Sequence, residues 1–310
     1  MRRRRESFFK GDNNILGASI ALLCALAWAG SSVILKLLTV KIDTLSINTL
    51  RLWVGSLILL TIISVTGRYA EFIHTPLLPL LYVISSGIMA MAVGDSVYIK
   101  SLSILDASIA FPIAQCSFVI LTVIVAVFIM GEPFTWLNGV GAGLVVFGIY
   151  LIAAMGNSTE KPSGESSVTG RGVILTLVAA IMWTAATITL KIGVKDMDAF
   201  VAAGFRISTS AILLSFITFP RGKKGILQFK ENGLRSIILA ATAGILTYGV
   251  AAVCYVKAIQ MIGAGRTVLL TTTAPLFVLP FSIFILKEKP TLFTIAGIFI
   301  CVGGIYLIVV

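Results

Sequence analysis

Residues 28–51 read WAGSSVILKLLTVKIDTLSINTLR, and residues 183–206 read WTAATITLKIGVKDMDAFVAAGFR. Both stretches are largely apolar, yet they share four residues of less common types, and each shared residue recurs 155 positions later. Rare residue types that keep one register in this way indicate an internal duplication of the chain. The four repeated pairs are Trp28 and Trp183, Lys36 and Lys191, Asp43 and Asp198, and Arg51 and Arg206.

The duplication continues to the end of the chain with a small drift in register. Tyr98 recurs as Tyr255, 157 positions later, and the pentapeptide GIYLI occurs at residues 148–152 and again at 304–308. A polar run rich in Ser, Thr, Gly, Glu and Lys separates the two copies, as is typical of a solvated linker. We therefore predict a first repeat at residues 1–155, a linker at 156–170 and a second repeat at 171–310.

The composition indicates a membrane protein. Of the 310 residues, 58% are hydrophobic and 12% are charged, whereas a soluble domain has roughly 25% charged residues. The net charge of +11 would suggest a nucleic-acid partner for a soluble protein. Here most Lys and Arg residues flank apolar runs, where cations suit lipid headgroups. We therefore expect a lipid bilayer as a partner and no nucleic acid.

The apolar runs have the length of membrane-spanning helices. A bilayer core about 30 Å thick requires about 20 apolar residues per helix, and by that measure the chain has ten spans, five in each half. We predict an all-α integral membrane protein. Because five is an odd number, the second half enters the membrane in the opposite direction, which gives two inverted five-helix repeats. The predicted spans are 15–38, 44–66, 78–101, 107–130, 134–155, 171–194, 198–219, 234–260, 265–286 and 291–310.

Inverted repeats are typical of transporters in which the substrate path lies between the two halves. We expect a cavity near the membrane midplane, formed by the first, third, fourth, sixth, eighth and ninth spans. Access to this cavity would alternate as one half rocks against the other.

The basic residues give two indications of orientation. The basic run at residues 2–5 and Lys10 favour a cytoplasmic N-terminus, and an even number of spans then places the C-terminus on the same side. We therefore expect a multi-pass protein of the cell (cytoplasmic) membrane with both termini cytoplasmic. The loop between the seventh and eighth spans opposes this orientation, because it would face outward and is also basic. Its basic residues are Arg221, Lys223, Lys224, Lys230 and Arg235.

The two halves carry equivalent residues in the same order. They are Trp28, Arg51, Gly131-Glu132, Gly141 and Gly148 in the first half, and Trp183, Arg206, Glu288, Gly297 and Gly304 in the second. In this order each half resembles an EamA-type repeat of the drug/metabolite transporter superfamily, and the resemblance covers nearly the whole chain. The sequence Lys287-Glu288-Lys289 departs from the family pattern, in which a Gly-Glu pair is common.

This resemblance implies ten helices around a central cavity, and the export or exchange of small molecules. We predict a secondary transporter, an exporter or exchanger, that moves a small metabolite, amino acid or related compound by alternating access, with a proton or a counter-substrate as coupling partner. The chain has no glycine-rich loop followed by Lys-Ser/Thr, so we expect no ATP hydrolysis. A lipid or lipid-linked sugar flippase of the same superfamily is the alternative function. Cargo and oligomeric state, monomer or homodimer, stay open.

Enzymatic chemistry is not expected from this sequence. The single histidine, His74, lies in a predicted loop next to Pro76, and no paired aspartate clusters are present to hold metal-bound pyrophosphate. The four cysteines are scattered through apolar segments without metal-ligand spacing. We therefore predict no catalytic residue, no metal and no cofactor.

Asp95 is the leading candidate for a binding residue. It lies about two turns before the third predicted span ends, and an ionisable group inside a membrane costs about 3 kcal/mol on insertion scales. Its equivalent in the second half is Ala252, so the two halves differ at this position. Such a difference could serve to recognise a ligand that is itself asymmetric. We predict that Asp95 binds a substrate amine or a coupling proton. The alternative is a helix-locking hydrogen bond or ion pair, for example to Lys100 or Lys257.

Two repeated pairs are also candidates. Arg51 and Arg206 lie about two turns inside their helices, so we expect both to point away from lipid. They either clamp the fold through carbonyls or acids, or screen an anionic group of the substrate. Trp28 and Trp183 lie in the middle of their helices, away from the interfacial belts. They either pack in the core or form a stacking wall for a flat substrate.

The remaining candidates lie on the third, fourth, eighth and ninth spans. Tyr98 is one turn beyond Asp95 on the same face, and with Tyr255 it is a candidate for the cavity wall. A proline within a span frees a backbone carbonyl, which inside a membrane has to be satisfied by protein, water or ligand. Gln115 and Thr272 lie close to such prolines and are therefore polar wall candidates. The hinge candidates, with simple kinking as the alternative, are Pro112, Pro275 and Pro280.

Overall fold

The computed structural model describes residues 2–128, 136–155, 166–194, 197–224, 228–262, 267 and 270–309. Within these ranges the chain is all-helical, with ten long helices joined by loops and short helical turns. The long helices are α1 (Arg2–Thr39), α2 (Thr44–Val65), α3 (Leu77–Leu102), α4 (Ala107–Phe128), α5 (Trp136–Met155), α6 (Ser166–Gly193), α7 (Ala199–Thr218), α8 (Leu234–Gly244, Ile245–Ala251 and Ala252–Ile262), α9 (Ala274–Phe281 and Ser282–Leu286) and α10 (Leu292–Val309).

The predicted all-α, ten-span fold is confirmed, with differences at the helix ends. Among the described residues, α1, α2, α3, α6, α7 and α8 are long and apolar enough to cross a membrane, and the other four contain shorter apolar segments. Helix α6 begins at Ser166, five residues before the start predicted for the sixth span. Residues 156–165 of the predicted linker lie outside the described residues, as do Gly131 and Glu132.

The helices pack according to the inverted repeat. Since successive spans run in opposite directions, α1 and α6, which are five helices apart, are antiparallel. Helix α1 packs against α8 and α9 of the second half, and its equivalent α6 packs against α3 and α4 of the first half. Helices α2 and α7 pack against each other, as do α5 and α10. Each half thus contributes its first helix to the other half.

Hydrogen bonds join α2 and α7 along their contact. The Nε1 of Trp53 donates to the Oγ of Ser215 at 2.8 Å, and the hydroxyls of Ser56 and Ser208 are 2.7 Å apart. A membrane provides little hydrophobic driving force between helices, so such bonds and close packing have to supply the association. We call this contact the α2–α7 seam.

The repeated aspartates act at the ends of the α2–α7 seam. Asp43 accepts a hydrogen bond from a backbone amide in the first turn of α2, and Asp198 does the same for α7. Each carboxylate also forms an ion pair across the seam, Asp43 with Arg221 and Asp198 with Arg68, both at 3.4 Å. Helix capping by an acidic residue is typical at N-termini, where it satisfies free amides and suits the helix dipole.

Glu288 caps a helix other than the one that it precedes in the sequence. It lies before α10, but its carboxylate oxygens accept from the backbone amides of Ala107 and Ser108 at 2.9 and 3.1 Å. These amides belong to the first turn of α4 in the other half. The first turn of α10 is capped instead by the Oγ1 of Thr291, which accepts from the amide of Thr294.

Two equivalent glycines bring helices into backbone contact beside the repeated arginines. A Cβ atom on Gly87 of α3 would lie 2.6 Å from the carbonyl oxygen of Arg206, and one on Gly244 of α8 would lie 2.7 Å from that of Arg51. Real Cβ atoms do not come so close to backbone atoms. Glycine at these two positions therefore fixes the spacing of α3 to α7 and of α8 to α2.

Helices α3 and α8 each contain a π-helical segment at the same place in the repeat. The segments are Ile88–Gly94 and Ile245–Ala251, each starting one residue after the close-packing glycine. A π-helical turn inserts additional backbone into a helix and often occurs at functional sites. Tyr248 lies within the second segment and Asp95 directly follows the first. Both side chains line the cavity described below.

We predict that Gly87→Ala and Gly244→Ala each destabilise the protein. The added methyl group would force two packed backbones apart, and overpacking of this kind costs about 1–3 kcal/mol. The thermal unfolding midpoint of the purified protein in detergent measures the effect. Gly143→Ala is the control, because a Cβ atom there meets no described atom within 4 Å. Equal midpoints for Gly87→Ala and Gly143→Ala would contradict the prediction.

Candidate functional site

A cavity of about 150 Å³ lies where the two sets of helices meet. Its described lining comes from α1, α2, α3, α4, α6, α7 and α8 and combines charged, aromatic and small polar side chains. The polar and aromatic lining residues are Trp28, Ser31, Ser32, Arg51, Asp95, Tyr98, Phe111, Gln115, Phe118, Trp183, Thr187, Arg206, Thr247, Tyr248 and Tyr255.

Eight of the nine binding candidates from the sequence line this cavity. The exception is Thr272, which is buried and is not among the described lining residues. The described part of α9 contributes no lining residue, whereas α2 and α7 contribute their arginines. The expected set of wall helices therefore differs from the observed one at these three helices. The binding roles of the eight residues stay predictions.

Asp95 connects the two halves of the chain. Its Oδ1 accepts a hydrogen bond from the Nε1 of Trp183 on α6 at 2.9 Å, and its Oδ2 accepts from the hydroxyl of Tyr248 on α8. Lys100 and Lys257, the alternative ion-pair partners, have exposed side chains. The carboxylate is thus held by two neutral donors from the second half.

Arg51 is held in a buried hydrogen-bond network. Its side chain is 2% exposed, donates to the Oδ1 of Asn48 at 3.3 Å and to the Oγ1 of Thr247 at 3.0 Å, and lies over the ring of Tyr248 at 5.0 Å. Thr247 in turn donates a hydrogen bond to the Oγ of Ser31 at 2.7 Å, which extends the network to α1. Such contacts stabilise a charge that would otherwise be costly to bury.

Asn48 is the centre of this network. Its Nδ2 donates to the carbonyl oxygen of Met91 at 2.7 Å and to the Oγ of Ser96 at 2.9 Å. Its Oδ1 accepts from Arg51 and from the hydroxyl of Tyr248. The single proton of the Tyr248 hydroxyl is shared between this oxygen, at 3.2 Å, and the closer Oδ2 of Asp95, so the arginine, the amide and the carboxylate form one connected site.

Asn48 and Tyr248 were not among the candidates identified from the sequence. Both stand where the other repeat has an apolar residue, Ala203 for Asn48 and Met91 for Tyr248. The same break in the duplication singled out Asp95. Applied to every polar residue within the spans, that comparison would have identified both.

Two aromatic pairs lie at equivalent places on the cavity wall. The rings of Trp28 and Tyr255 have centroids 5.4 Å apart, and so do those of Trp183 and Tyr98. Tilted pairs at such a distance are favourable aromatic contacts. The hydroxyl of Tyr98 also lies 2.6 Å from the Oγ of Ser32, which fixes its ring. The cavity therefore has flat apolar walls as well as charged groups.

The three predicted hinge prolines lie within helices. Pro112 is inside α4, Pro275 is in the first turn of the described α9 helix, and Pro280 is near the end of Ala274–Phe281. The π-helical segment Ser282–Leu286 follows Pro280 directly. Their role as hinges stays a prediction.

Ten membrane helices in two inverted sets around a polar cavity define a membrane transport protein. A sequence model of the EamA-like transporter family matches residues 15–154 and 170–310. The chain belongs to this family, which is part of the drug/metabolite transporter superfamily.

Known proteins similar to this chain agree with that assignment. An uncharacterized transporter of Archaeoglobus fulgidus is 27% identical over 228 residues, which cover 74% of this chain and 75% of the relative. The uncharacterized transporter YoaV of Bacillus subtilis is 29% identical over 124 residues, 38% of this chain and 39% of YoaV. A crystal structure of a protein that is 18% identical superposes with a TM-score of 0.65 over 96% of each chain, which shows the fold alone.

We predict that Asn48→Ala lowers the stability of the protein. The variant leaves the buried hydrogen-bonding groups of Arg51, Ser96 and Tyr248 short of a partner, and each such loss costs about 1–3 kcal/mol. Thermal unfolding in detergent measures the effect. Thr61→Ala serves as control, because that exposed hydroxyl bonds only to the carbonyl of Leu57 in its own helix. If both variants unfold at the same temperature, Asn48 is not a structural centre.

Proposed function

We propose that this protein is a secondary transporter, an exporter or exchanger, that moves a small metabolite, amino acid or related compound by alternating access without ATP hydrolysis. The observation that carries the proposal is the cavity, in which Arg51, Arg206 and Asp95 face one space within apolar helices. Charged side chains inside a membrane are costly and typically face a substrate or ion pathway. A site of this kind at the interface of inverted repeats is typical of secondary transporters.

Each half contributes its first helix to the other half, and this packing suggests which helices move together. We assign α1, α8 and α9 to one body and α3, α4 and α6 to the other, because α1 packs against both α8 and α9, and α6 packs against both α3 and α4. Asp95 belongs to the second body and is bound by Trp183 of the same body and Tyr248 of the other. We propose that the two bodies rock against each other around the α2–α7 seam. Each rocking motion would open the cavity to one side.

A small polar contact joins the bodies at one end of the cavity. Lys36, near the end of α1, donates to the carbonyls of Leu102 and Leu105 at 2.9 and 2.6 Å and lies 3.7 Å from Asp106. At the same end, Glu288 caps α4. We call these contacts the Lys36–Glu288 clamp. They are few and partly exposed, which suits a gate that opens and closes.

The remaining parts of the proposal concern setting and partners. We propose a multi-pass protein of the cell membrane with both termini cytoplasmic, which places the Lys36–Glu288 clamp at the external side. The coupling partner is a proton or a counter-substrate. Asp95 is the acidic side chain among the described lining residues that could bind this partner. A lipid flippase would need an opening between helices towards the lipid, and labelled lipids in the assay below test that alternative.

A transport panel tests the proposed function. Purified protein in proteoliposomes is offered amino acids, other small metabolites and fluorescent lipids, with and without a pH gradient. We expect saturable uptake or counterflow of at least one water-soluble compound. Movement of the lipids alone would favour the flippase, and movement of none of the compounds would contradict transport by this chain.

We predict that Asp95→Asn lowers transport of the identified cargo about tenfold or more. The amide keeps an acceptor for Trp183 but removes the charge, and a hydrogen bond to a charged group contributes about 1.5–3 kcal/mol. Initial uptake rates at several pH values provide the measurement, and Glu71→Gln, an exposed acid outside the cavity, is the control. Unchanged transport by Asp95→Asn across the pH range would exclude Asp95 from binding and coupling.

We predict that Lys36→Met opens the clamped end of the cavity. The variant loses its bonds to α3 and to the following loop, so a cysteine placed at Leu35 on the cavity wall should react about tenfold faster with a maleimide. The parent chain without the new cysteine gives the background from Cys24, Cys116, Cys254 and Cys301. Lys100→Met, an exposed lysine at the same end, is the matched control. Equal reaction rates in both variants would contradict a gate at Lys36.

A further inference from the structure

The two repeated arginines lie in equivalent places but have different surroundings. Arg51 donates to Asn48 and Thr247. The residues at the equivalent positions around Arg206 are Ala203 and Ala90, neither of which can accept a hydrogen bond through its side chain. The partners that bind the first guanidinium are therefore missing from the second.

The difference extends to the next residues of the network. Tyr248, whose ring lies under Arg51, corresponds to Met91 in the other half. Ser31, which accepts from Thr247, corresponds to Ala186. Four polar or aromatic partners of the Arg51 network are thus replaced by three alanines and a methionine. Divergence at one residue could be accidental, whereas divergence of the whole set separates the roles of the two arginines.

Arg206 nevertheless keeps its position on the cavity wall. Its backbone is fixed by the contact with Gly87 and by the hydroxyl of Ser210, which donates to its carbonyl oxygen at 2.7 Å. Its Nε atom, like that of Arg51, is buried without a hydrogen-bond partner among the described residues. The difference lies in the terminal nitrogens, which donate to Asn48 and Thr247 in Arg51 and to no described residue in Arg206. The carboxylate of Asp95 forms no ion pair with it within the described residues, and its two oxygens accept from Trp183 and Tyr248 instead.

The charge of the cavity is consequently unbalanced. Two guanidinium groups and one carboxylate are found among its described lining residues. The terminal nitrogens of Arg51 donate to protein groups and those of Arg206 do not, so the excess positive charge is less well stabilised at Arg206. A buried cation without hydrogen-bond partners is costly, and an anion that enters the cavity would relieve that cost.

We propose that Arg206 binds the anionic group of the cargo, and that the cargo is a small organic carboxylate with a flat apolar body. The planar guanidinium matches a carboxylate in a two-bond geometry. The aromatic pairs Trp28–Tyr255 and Trp183–Tyr98 provide the walls for the apolar body. Arg51, by contrast, stabilises the fold. The role of Arg206 in transport rests on the function proposed above, whereas its role in binding does not.

Matched pairs of ligands test this assignment while the cargo is still unidentified. Each pair consists of a carboxylate and its primary amide, which share shape and differ in charge: benzoate and benzamide, nicotinate and nicotinamide, and indole-3-acetate and its amide. Binding to the full chain in detergent is measured by thermal shift for every pair and, for the ligands without an indole ring, also by tryptophan fluorescence. We expect at least one carboxylate to bind, and about ten- to hundredfold more tightly than its amide. Equal binding within every pair, or no binding by any carboxylate, overturns the proposal.

Variants of the two arginines assign the effect to one residue. Arg206→Gln should abolish the preference for the carboxylate over the amide, and Arg206→Lys should retain part of it. Arg235→Gln, which removes the same charge from an exposed site at the start of α8, should leave the preference intact. Arg51→Gln should lower the unfolding temperature of the free protein more than Arg206→Gln does. If Arg206→Gln keeps the full preference, the proposal is wrong.

The transport assay separates this inference from the proposed function. Carboxylates that bind through Arg206 but are never moved across the proteoliposome membrane would contradict transport and leave the binding site established. A cargo that is transported equally by the parent chain and Arg206→Gln would support transport and overturn the role of Arg206.

Discussion

The structure depends on the constraint that a charge buried among membrane helices has to be partnered within the protein. Asp95 meets it with donors from both α6 and α8, and Arg51 meets it with Asn48, Thr247 and the ring of Tyr248. Because these partners come from both repeats, the halves cannot separate without exposing a charge to lipid. The polar cavity therefore holds the two repeats together as well as providing the site.

Symmetry and asymmetry have separate roles in this molecule. The repeated residues build the frame: Asp43 and Asp198 cap α2 and α7, and Gly87 and Gly244 set equivalent helix contacts. The cavity, in contrast, is lined by several polar residues that have no polar equivalent in the other repeat, among them Asp95, which replaces an alanine. A frame with inverted symmetry can open to either side of the membrane with similar energy. A cargo molecule has no such symmetry, so its binding site has to be asymmetric.

Much of this arrangement could be predicted from the sequence. Span length predicted the helices. The repeat register, together with the charge of Asp95 inside a span and the proline near Gln115, predicted eight residues of the cavity wall. The contacts between helices were not predictable, because spans such as α2 and α10 have no distinct apolar and polar faces and give no indication of which side meets which neighbour. Tyr248 is different, because it stands where the other repeat has Met91 and a comparison of every polar residue between the repeats identifies it. Glu288 lies directly before α10 in the sequence, yet it caps α4, which lies close to it only after the chain has folded.

The strengths of the contacts between the repeats indicate where motion is easiest. Between the ion pairs at its ends, the α2–α7 seam is held by neutral hydroxyl and indole hydrogen bonds, among them Trp53 to Ser215 and Ser56 to Ser208. Inside a membrane these bonds have no water to compete with them. The Lys36–Glu288 clamp, in contrast, lies at the helix ends, where Asp106 is 44% exposed and water can replace its partner. The α2–α7 seam is therefore suited to act as the axis of the rocking motion, and the contacts of the Lys36–Glu288 clamp are suited to break when the cavity opens. An axis through α2 and α7 would also keep Arg51 and Arg206 nearly fixed while the other helices of the cavity wall move. Arg206 would then face whichever side of the membrane the cavity is open to.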